Sequence, residues 1–381
     1  MATGSRADFG LLAPVMRSIR RANDFDLSIL AVGSHFLEGY GHTIDEIEEA
    51  GLPIDERIAV IYDDSAEGIS RAIGEIVQRS TVVLGRLQPD VVIVLGDRYE
   101  ILAVALAATV LRIPIAHIAG GDVTLGAYDE GFRHALTKLS HVHFTTNQDA
   151  TARVQQLGEE PWRIHQVGSP GIDSLLEARL LSQAELERKL SWKFHSRNLL
   201  VTLHPATLQP GAGVAQARAL IAALETLTGD IGVLVTGTSV DIEGAEINAV
   251  LEEYCARNGP RALHIASLGH LGYQSMLAQV DAVVGNSSSG LYEAPSLGTP
   301  TVDIGWRQMG RPKASSVIHC DADVESIIKS INEALSLGRM SVDNPYGDGH
   351  AVERIISVLR TLPNRDTLLM KAFIDIGKVD Q

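Results

Sequence analysis

Acidic and basic side chains gather between Gly96 and His134, where they could carry acid–base chemistry. The apolar run Val91–Leu95 is typical of a strand buried on both faces of a parallel sheet, and a second such run follows at Ile115–Ile118. Ligands of open α/β sheets bind beyond the carboxyl ends of the strands, which is where the acids fall. The candidate catalytic acids are Asp97, Asp122, Asp129 and Glu130.

Each of these acids also has a structural explanation. Asp122 could cap a turn, and Asp129 could be a helix N-cap. The helix that follows carries the cationic candidates Arg133 and His134. The group as a whole is harder to explain structurally, because acids and bases gathered at strand ends are costly unless a ligand uses them. We therefore expect a catalytic cluster here.

The second half of the chain contains a loop of small residues, Gly285–Gly290, between a predicted strand and a helix start. Backbone N–H groups and the hydroxyls of Ser287 and Ser288 there could bind an anion, since the positive end of a helix dipole favours negative charge. Loops of this composition are also common without any ligand. The loop residues predicted to contact a phosphate are Ser287, Ser288, Ser289 and Gly290.

Further polar candidates follow other strand ends. His204 follows the first strand of the second half, and Glu293 lies one turn after the small-residue loop, where it could accept hydrogen bonds from sugar hydroxyls. Arginine binds phosphate oxygens in a forked geometry, so Arg6, Arg98 and Arg307 are candidates to hold a phosphate. The sequence contains neither a P-loop nor a GxGxxG dinucleotide pattern.

Composition limits the class of partner. The 381 residues are 45% apolar and 21% charged, with a formal net charge of −15. This balance argues against nucleic acid or an anionic membrane as a partner, but a small anionic ligand is compatible with local cations. Cys255 and Cys320 lie in no metal-binding or disulfide pattern. Since the sequence shows no spanning segment or signal peptide, we expect a cytoplasmic protein.

Strands and helices alternate in both halves, which predicts an α/β protein of two doubly wound, Rossmann-like domains that face a central cleft. Turn residues at Gly168–Gly171 mark the predicted junction. We place the N-terminal domain with the acids at 1–168 and the C-terminal domain at 172–361. The segment 362–381 is apolar enough to dock back on the N-terminal domain.

Several motifs, in the order in which they occur, resemble the UDP-N-acetylglucosamine 2-epimerase family. They are GSRAD at Gly4, GDR at Gly96, HIAGGDV at His117, AYDEGFRH ending at His134, HP at His204, GNSSSG at Gly285, GTP at Gly298 and NPYGDG at Asn344. The version around His117–His134 looks like the hydrolysing branch, which makes precursors of sialic-type acids. The resemblance implies a fold like that of GT-B glycosyltransferases. The family's first strand is reduced here to one or two residues before Gly4.

The resemblance also implies an activity: conversion of UDP-N-acetylglucosamine and water to N-acetylmannosamine and UDP. The family's route eliminates UDP to give a glycal, then adds water with inversion at C2, which needs an acid and a base on opposite faces of C2. Asp122 or Asp129, with Asp97 as the second group, are favoured for those steps. No metal or organic cofactor is expected, and we expect a homodimer or homotetramer.

The resemblance assigns the nucleotide to the second half. It implies that Glu293 holds the ribose, that Arg307 lies near the nucleotide, and that backbone in Ser267–Tyr273 meets the uracil. His204, Arg6 and Arg98, with the Ser287-Ser288 helix start, would stabilise the departing diphosphate.

Four alternatives stay open. A related hydrolysing epimerase could act on UDP-2,4-diacetamido-2,4,6-trideoxyglucose, because the motifs do not report on C4 and C6 of the sugar. A non-hydrolysing epimerase would return a UDP-sugar instead of free UDP. A GT-B glycosyltransferase would require an acceptor, and a silent nucleotide-sugar sensor would bind without turnover.

Overall fold

The structure is a computed structural model that describes residues 1–36, 43–60, 65–123, 129–205, 211–238 and 244–375. The described residues form two compact units. The first contains the residues up to Ser174, apart from the neighbourhood of the 124–127 segment, and those from Tyr346 onward; the second contains Leu175–Pro345. The expected α/β class with parallel sheets is confirmed in each unit.

Parallel strands form the centre of the first unit. They are β1 (Ala2–Thr3), β2 (Leu30–Val32), β3 (Glu56–Ile58), β4 (Val92–Leu95), β5 (Ile115–Ile118), β6 (Val142–Thr145) and β7 (Ile164–Gln166). One sheet has the order β1-β2-β3 and the other the order β4-β5-β6-β7, and β1 lies against β4. The sheets therefore continue one another, with β1 and β4 side by side at the centre, as in a doubly wound fold.

Helices cover this sheet and connect its strands. They are α1 (Arg6–Arg21), α2 (Thr43–Glu49), α3 (Ala66–Leu87), α4 (Tyr99–Val110), α5 (Asp129–Leu139), α6 (Gln148–Gln156) and α7 (Pro170–Glu177). The sequence predicts α1 only from Leu11. It starts earlier because the Ser5 side chain accepts a hydrogen bond from the backbone N–H of Asp8 and so caps the helix. The predicted Asn147 cap of α6 is confirmed.

The second unit is built on a six-stranded parallel sheet with the order β10-β9-β8-β11-β12-β13. Its strands are β8 (Arg197–Thr202), β9 (Ile231–Thr236), β10 (Ala262–Ile265), β11 (Ala282–Gly285), β12 (Thr301–Ile304) and β13 (Val317–Cys320). Its helices are α8 (Gln183–Leu190), α9 (Ala212–Thr226), α10 (Gly244–Asn258), α11 (Gly269–Gln279), α12 (Ser289–Tyr292) and α13 (Val324–Leu337). The predicted capping box of Ser182 and Glu185 opens α8.

The chain then returns to the first unit through α14 (Ala351–Arg360) and α15 (Arg365–Leu369). The sequence predicts a C-terminal domain that extends to residue 361 and so includes α14, whereas in the structure α14 belongs to the first unit. Ile355 and Ile356 of α14 are buried in the core beneath α1, together with Leu368 of α15. An amphipathic helix joins the unit that buries its apolar face, and sequence alone does not show which unit that is.

The predicted junction at Gly168–Gly171 also lies elsewhere. Pro170 begins α7, a position that suits proline because its missing N–H is not needed there, and the division falls after Ser174. A Cβ atom at Gly171 would lie 2.5 Å from a methyl group of Leu11, so this glycine allows α7 to pack closely against α1. Among the described residues, no helix is long and apolar enough to span a membrane.

Candidate functional site

The first candidate cluster lies beyond the carboxyl ends of β4 and β5, in the first unit. Asp97 follows β4 and contacts the guanidinium of Arg133, a residue of α5 that is 5% exposed. Arg133 also donates to the carbonyl of Ala119, just after β5, at 3.2 Å. Arg133 therefore links the end of β4 to the end of β5. Two candidates that the sequence placed in this region, Asp97 and Arg133, are in contact.

Asp129 is the first residue of α5, and its side chain is only partly exposed. Burial, followed by the negative charge of Asp97, raises the pKa of its carboxyl to about 6, while Arg98 and Arg133 oppose the rise. A carboxyl that titrates near neutral pH can give and take protons under working conditions. The effect of the Asp97 charge on the pKa of Asp129 agrees with the expectation that these two acids lie in one cluster.

Glu130 lies next to Asp129 and faces along the helix toward His134. The His134 ring and the Glu130 carboxylate are 3.2 Å apart, one helical turn from each other. Both side chains are about a quarter exposed, at 31% for His134 and 24% for Glu130. This pair therefore forms a polar strip on α5 beside Asp129.

Asp122 is held in a separate arrangement. Its carboxylate is 6% exposed and accepts hydrogen bonds from the Thr146 hydroxyl at 2.5 Å and the Asn147 amide at 3.3 Å. Asn147 is the N-cap of α6, so Asp122 ties the end of β5 to the start of that helix. This geometry gives Asp122 a structural role in linking two segments, and a chemical role for it stays a prediction.

Arg98, predicted as a phosphate ligand, is bound by a neighbouring carboxylate. Its Nε and Nη2 donate to the two oxygens of Glu100 at 3.1 and 2.9 Å. Glu100 is fully buried in α4, whereas the Arg98 side chain is 40% exposed. The third nitrogen of this guanidinium, Nη1, is not bound by Glu100. Arg6 opens α1, but its side chain lies outside the described residues, as does the loop before Asp129.

Asp8 is a member of this cluster that sequence reasoning missed. Burial raises the pKa of its carboxyl to about 7, with Arg98 opposing and Glu100 and Asp97 adding to the rise. The side chain is 6% exposed and accepts from the backbone N–H of Gly4 at 3.3 Å. The only sequence signal was its place in the Gly4–Asp8 motif. Burial of an acid within a helix start is not visible in that pattern.

The second candidate cluster, in the second unit, is organised by Asn286. Its side chain accepts from the backbone N–H of His204 at 2.7 Å and donates to the His204 carbonyl at 2.9 Å. The Asn286 carbonyl accepts from Arg307 at 3.1 Å and from Gln308 at 2.8 Å. Asn286 thus brings together residues that follow β8, β11 and β12, including two that the sequence singled out.

His204 is neutral in this setting. Burial lowers the pKa of its imidazole to about 3, and the positive charge of Arg307 contributes to the fall. Its Nδ1 lies 3.3 Å from the Thr238 hydroxyl. A neutral imidazole can donate one hydrogen bond to an anion without adding charge, whereas Arg307 supplies the positive charge nearby.

The small-residue loop is tightly seated between strands. A Cβ atom at Gly285 would lie 1.9 Å from the Thr202 carbonyl oxygen, so β11 needs glycine to approach β8 at its end. The Ser289 hydroxyl lies 2.6 Å from the Tyr273 hydroxyl and 3.0 Å from that of Ser287. The predicted helix after the loop is a single turn, α12, which includes Ser289 and Gly290. Ser288 caps it without a side-chain hydrogen bond.

Glu293 follows this turn. Burial raises the pKa of its carboxyl to about 7, and a hydrogen bond with Gln274 of α11 opposes the rise. Gln274 itself is 1% exposed. A partly exposed carboxyl beside the small-residue loop is a candidate partner for ligand hydroxyls, since it can accept or donate near neutral pH. Among the described residues, no group of three or more His, Cys, Asp or Glu could hold a metal ion.

Comparison with known proteins gives consistent matches over nearly the full length. The family model described as UDP-N-acetylglucosamine 2-epimerase matches residues 17–360. "GDP/UDP-N,N'-diacetylbacillosamine 2-epimerase (hydrolyzing)" of Campylobacter jejuni is 32% identical, over 98% of this chain and 98% of the relative. "UDP-N,N'-diacetylbacillosamine 2-epimerase (hydrolyzing)" of Legionella pneumophila is 33% identical, over 97% of each chain.

A solved structure agrees on the fold. The UDP-GlcNAc 2-epimerase of Neisseria meningitidis, crystallised with UDP-GlcNAc, superposes with a TM-score of 0.80 at 18% identity. The match covers 95% of this chain and 99% of that chain. The predicted GT-B-like, doubly wound fold class is thereby confirmed. The chain belongs to the UDP-N-acetylglucosamine 2-epimerase family, and hydrolysing epimerases are among its relatives above 30% identity.

Proposed function

We propose that this protein is a hydrolysing 2-epimerase that acts on UDP-2,4-diacetamido-2,4,6-trideoxyglucose, which is UDP-N,N'-diacetylbacillosamine. The observation that carries the choice of sugar is the pair of full-length relatives above 30% identity whose names print this substrate and the hydrolysing reaction. The alternative that the sequence left open is thus better supported than UDP-N-acetylglucosamine.

The acid cluster supports the chemistry at C2. Abstraction of the C2 proton and later return of a proton need groups that titrate near neutral pH, and Asp129 is such a group. Asp97 is the second acid, and Arg133 holds its carboxylate in place. We assign Asp129 and Asp97 to these proton transfers, with Asp122 as the next candidate.

The Asn286-centred cluster supports nucleotide binding. Departure of UDP develops negative charge on the diphosphate, which hydrogen-bond donors and a cation stabilise. Neutral His204 and the cation of Arg307 are both fixed by Asn286, and the backbone N–H groups of Ser287 and Ser288 are the further donors in this proposal. Glu293 is the proposed partner of the ribose hydroxyls. These assignments make the second unit the nucleotide-binding one.

UDP-N-acetylglucosamine is the second candidate substrate. It is supported by the family description and by the sugar bound in the Neisseria meningitidis structure. At 18% identity, that structural likeness concerns the fold and does not choose between the sugars. The two sugars differ at C4 and C6. At C4 the proposed substrate has an acetamido group in place of the hydroxyl, and at C6 it lacks the hydroxyl.

One experiment separates these candidates. The protein is incubated with each UDP-sugar in deuterated water and followed by NMR. We expect free UDP, a 2-epimerised free sugar and deuterium at C2 with the diacetamido-trideoxy substrate, and kcat/KM at least tenfold lower with UDP-N-acetylglucosamine. Faster turnover of UDP-N-acetylglucosamine would assign that substrate instead. A UDP-sugar product without free UDP would overturn the hydrolysing reaction.

A further inference from the structure

An ion pair with a buried carboxylate lies at the start of α4, next to Asp97. Both carboxylate oxygens of Glu100 accept from Arg98, at 3.1 and 2.9 Å, and the Glu100 side chain has no exposed surface. Two bonds between planar groups fix the guanidinium in position and in orientation. A pair with one member buried and the other 40% exposed is costly to build, which calls for an explanation beyond stability.

The surrounding backbone is shaped to seat Glu100. A Cβ atom at Gly33, where φ is +62°, would lie 2.6 Å from Cγ of Glu100. A Cβ atom at Gly4 would lie 3.1 Å from Cβ of Glu100. The turns after β1 and after β2 therefore have glycine where the chain packs against the Glu100 side chain. The position of Glu100 is defined by packing on both sides.

Charges from several elements act on Asp129, the proposed proton-transfer group. They come from Asp97 after β4, from Arg98 and Glu100 at the start of α4, and from Arg133 of α5. Asp8 of α1 belongs to the same set, because Arg98, Glu100 and Asp97 act on it. Glu130 and His134 lie beside Asp129 on its own helix. The cation of Arg98 lies among these acids and is balanced by Glu100.

Asp97, the neighbour of Arg98, contacts Arg133, which lies one turn after Asp129 on α5, so the ion pair and the proposed proton-transfer group belong to one connected cluster. We propose that Glu100 is a positioning residue for this cluster: it holds Arg98 in place beside these acids and balances its charge. The inference deepens the proposed function, since it concerns the same acids. If Glu100 loses its charge while Arg98 keeps its own, Asp129 faces less negative and more uncompensated positive charge. Its ionised form then becomes more stable, so its pKa falls.

The test is the Glu100→Gln variant, which keeps the shape and removes the charge. We expect the limb of the pH profile of kcat/KM that reports Asp129 to move down by about one pH unit, a tenfold change in proton affinity. Glu159→Gln is the matched control. Glu159 is an equally buried acid of the same unit, paired with Lys138 and Lys371, and its loss should affect stability without moving that limb.

A second variant covers the case in which Glu100→Gln does not fold. Arg98→Met removes the cation, so the Asp129 limb should stay in place or move up. A downward shift in Arg98→Met, or a shift of under about 0.3 pH unit in a folded Glu100→Gln, overturns the proposal.

A readout without substrate separates this inference from the proposed function. Carboxyl-labelled aspartate is titrated by NMR in the free enzyme, with Asp129→Asn used to assign the Asp129 signal. The same downward shift in Glu100→Gln supports the proposal even if neither UDP-sugar is turned over. An unchanged titration overturns the proposal even if turnover is as expected.

Discussion

Three carboxyls with raised pKa values distinguish this protein at the level of single residues. Asp8 and Asp129 in the first unit and Glu293 in the second titrate at about 7, 6 and 7 because burial disfavours their charged forms. A group whose pKa is higher in the folded state stabilises the fold below its ordinary pKa, and that contribution is lost as the pH rises through the folded value. These acids therefore lower stability at neutral pH, as is typical of functional sites.

Asp129→Asn tests the proposed proton transfer directly. We expect turnover to fall by about 10²–10⁴, the usual share of one acid–base group. UDP affinity, measured by calorimetry, should be unchanged because the residues proposed to bind the nucleoside lie in the second unit. Retention of more than about a tenth of wild-type turnover, a loss below roughly 1.4 kcal/mol, would move the chemistry to another acid.

Asp122→Asn is the companion to that variant. The carbonyl oxygen of the new amide can still accept from Thr146 and Asn147, so the fold should be preserved. If Asp122 serves only to anchor α6, its turnover stays within tenfold of wild type. A loss as large as that of Asp129→Asn would give Asp122 a chemical role.

Sequence alone located part of this site. The rule that ligands bind at strand ends brought Asp97, Asp129 and Arg133 into one region, because each follows a recognisable apolar run or helix start. It could not find the role of Glu100, because that depends on glycines elsewhere in the chain and on complete burial. Pairings between residues far apart in sequence leave no local pattern.

At the level of elements, apolar runs and caps were the reliable signals. Apolar runs between turn residues predict strands at Ile115–Ile118 and at Thr301–Ile304, and β5 and β12 have these bounds. β3 and β13 were missed. Their sequences, Glu56–Ile58 and Val317–Cys320, are short and partly exposed, so their strand form comes from pairing with β2 and β12.

The loop between β11 and α12 is the element that the nucleotide proposal depends on. Ser288 is partly exposed, and its side chain makes no capping hydrogen bond, so a larger residue there points at the proposed phosphate position instead of disrupting the fold. Ser288→Glu should reduce UDP affinity at least a hundredfold by steric and like-charge conflict, as measured by calorimetry.

The control for that change is Ser336→Glu, which adds the same charge to an exposed position of α13 in the same unit. It should bind UDP as wild type does. Equal affinity in Ser288→Glu and Ser336→Glu would remove the loop from the nucleotide site.

At the level of the whole chain, histidines whose pKa is lowered by burial are distributed unevenly between the units. In the first unit, burial lowers the pKa of His117 to about 3 and of His35 and His141 to about 4. The pKa values of His143 and His165 are also lowered there, mainly by burial. In the second unit, the same cause lowers the pKa of His204 and His264. The first unit therefore carries more imidazoles that must stay neutral to fold.

The sign of the effect follows from linkage. An imidazole whose pKa is lower in the folded state favours folding fully above its unfolded value of 6.5, and this contribution is lost as the pH falls toward the folded value. The raised acids oppose this over the same range, through Asp8 and Asp129 in the first unit and Glu293 in the second. The first unit has five histidines with a lowered pKa against two acids with a raised pKa, and the second has two such histidines against one such acid. We therefore expect acid to destabilise the first unit first.

The three tryptophans allow the two units to be followed separately, because Trp162 lies in the first unit and Trp192 and Trp306 lie in the second. Trp162 stacks on the Arg163 guanidinium at 4.2 Å, and Trp192 is 5% exposed, so the emission of each should change when its unit unfolds. In the double variant Trp192→Phe/Trp306→Phe, Trp162 is the remaining reporter, and in Trp162→Phe/Trp306→Phe it is Trp192. We expect the acid transition of the first variant to occur at a higher pH than that of the second. Both variants should unfold in urea at pH 7.5 like the wild type by circular dichroism, so that neither tryptophan change is itself the cause. Coincident acid transitions, or an earlier one at Trp192, would show that the buried histidines do not govern the acid stability of the first unit.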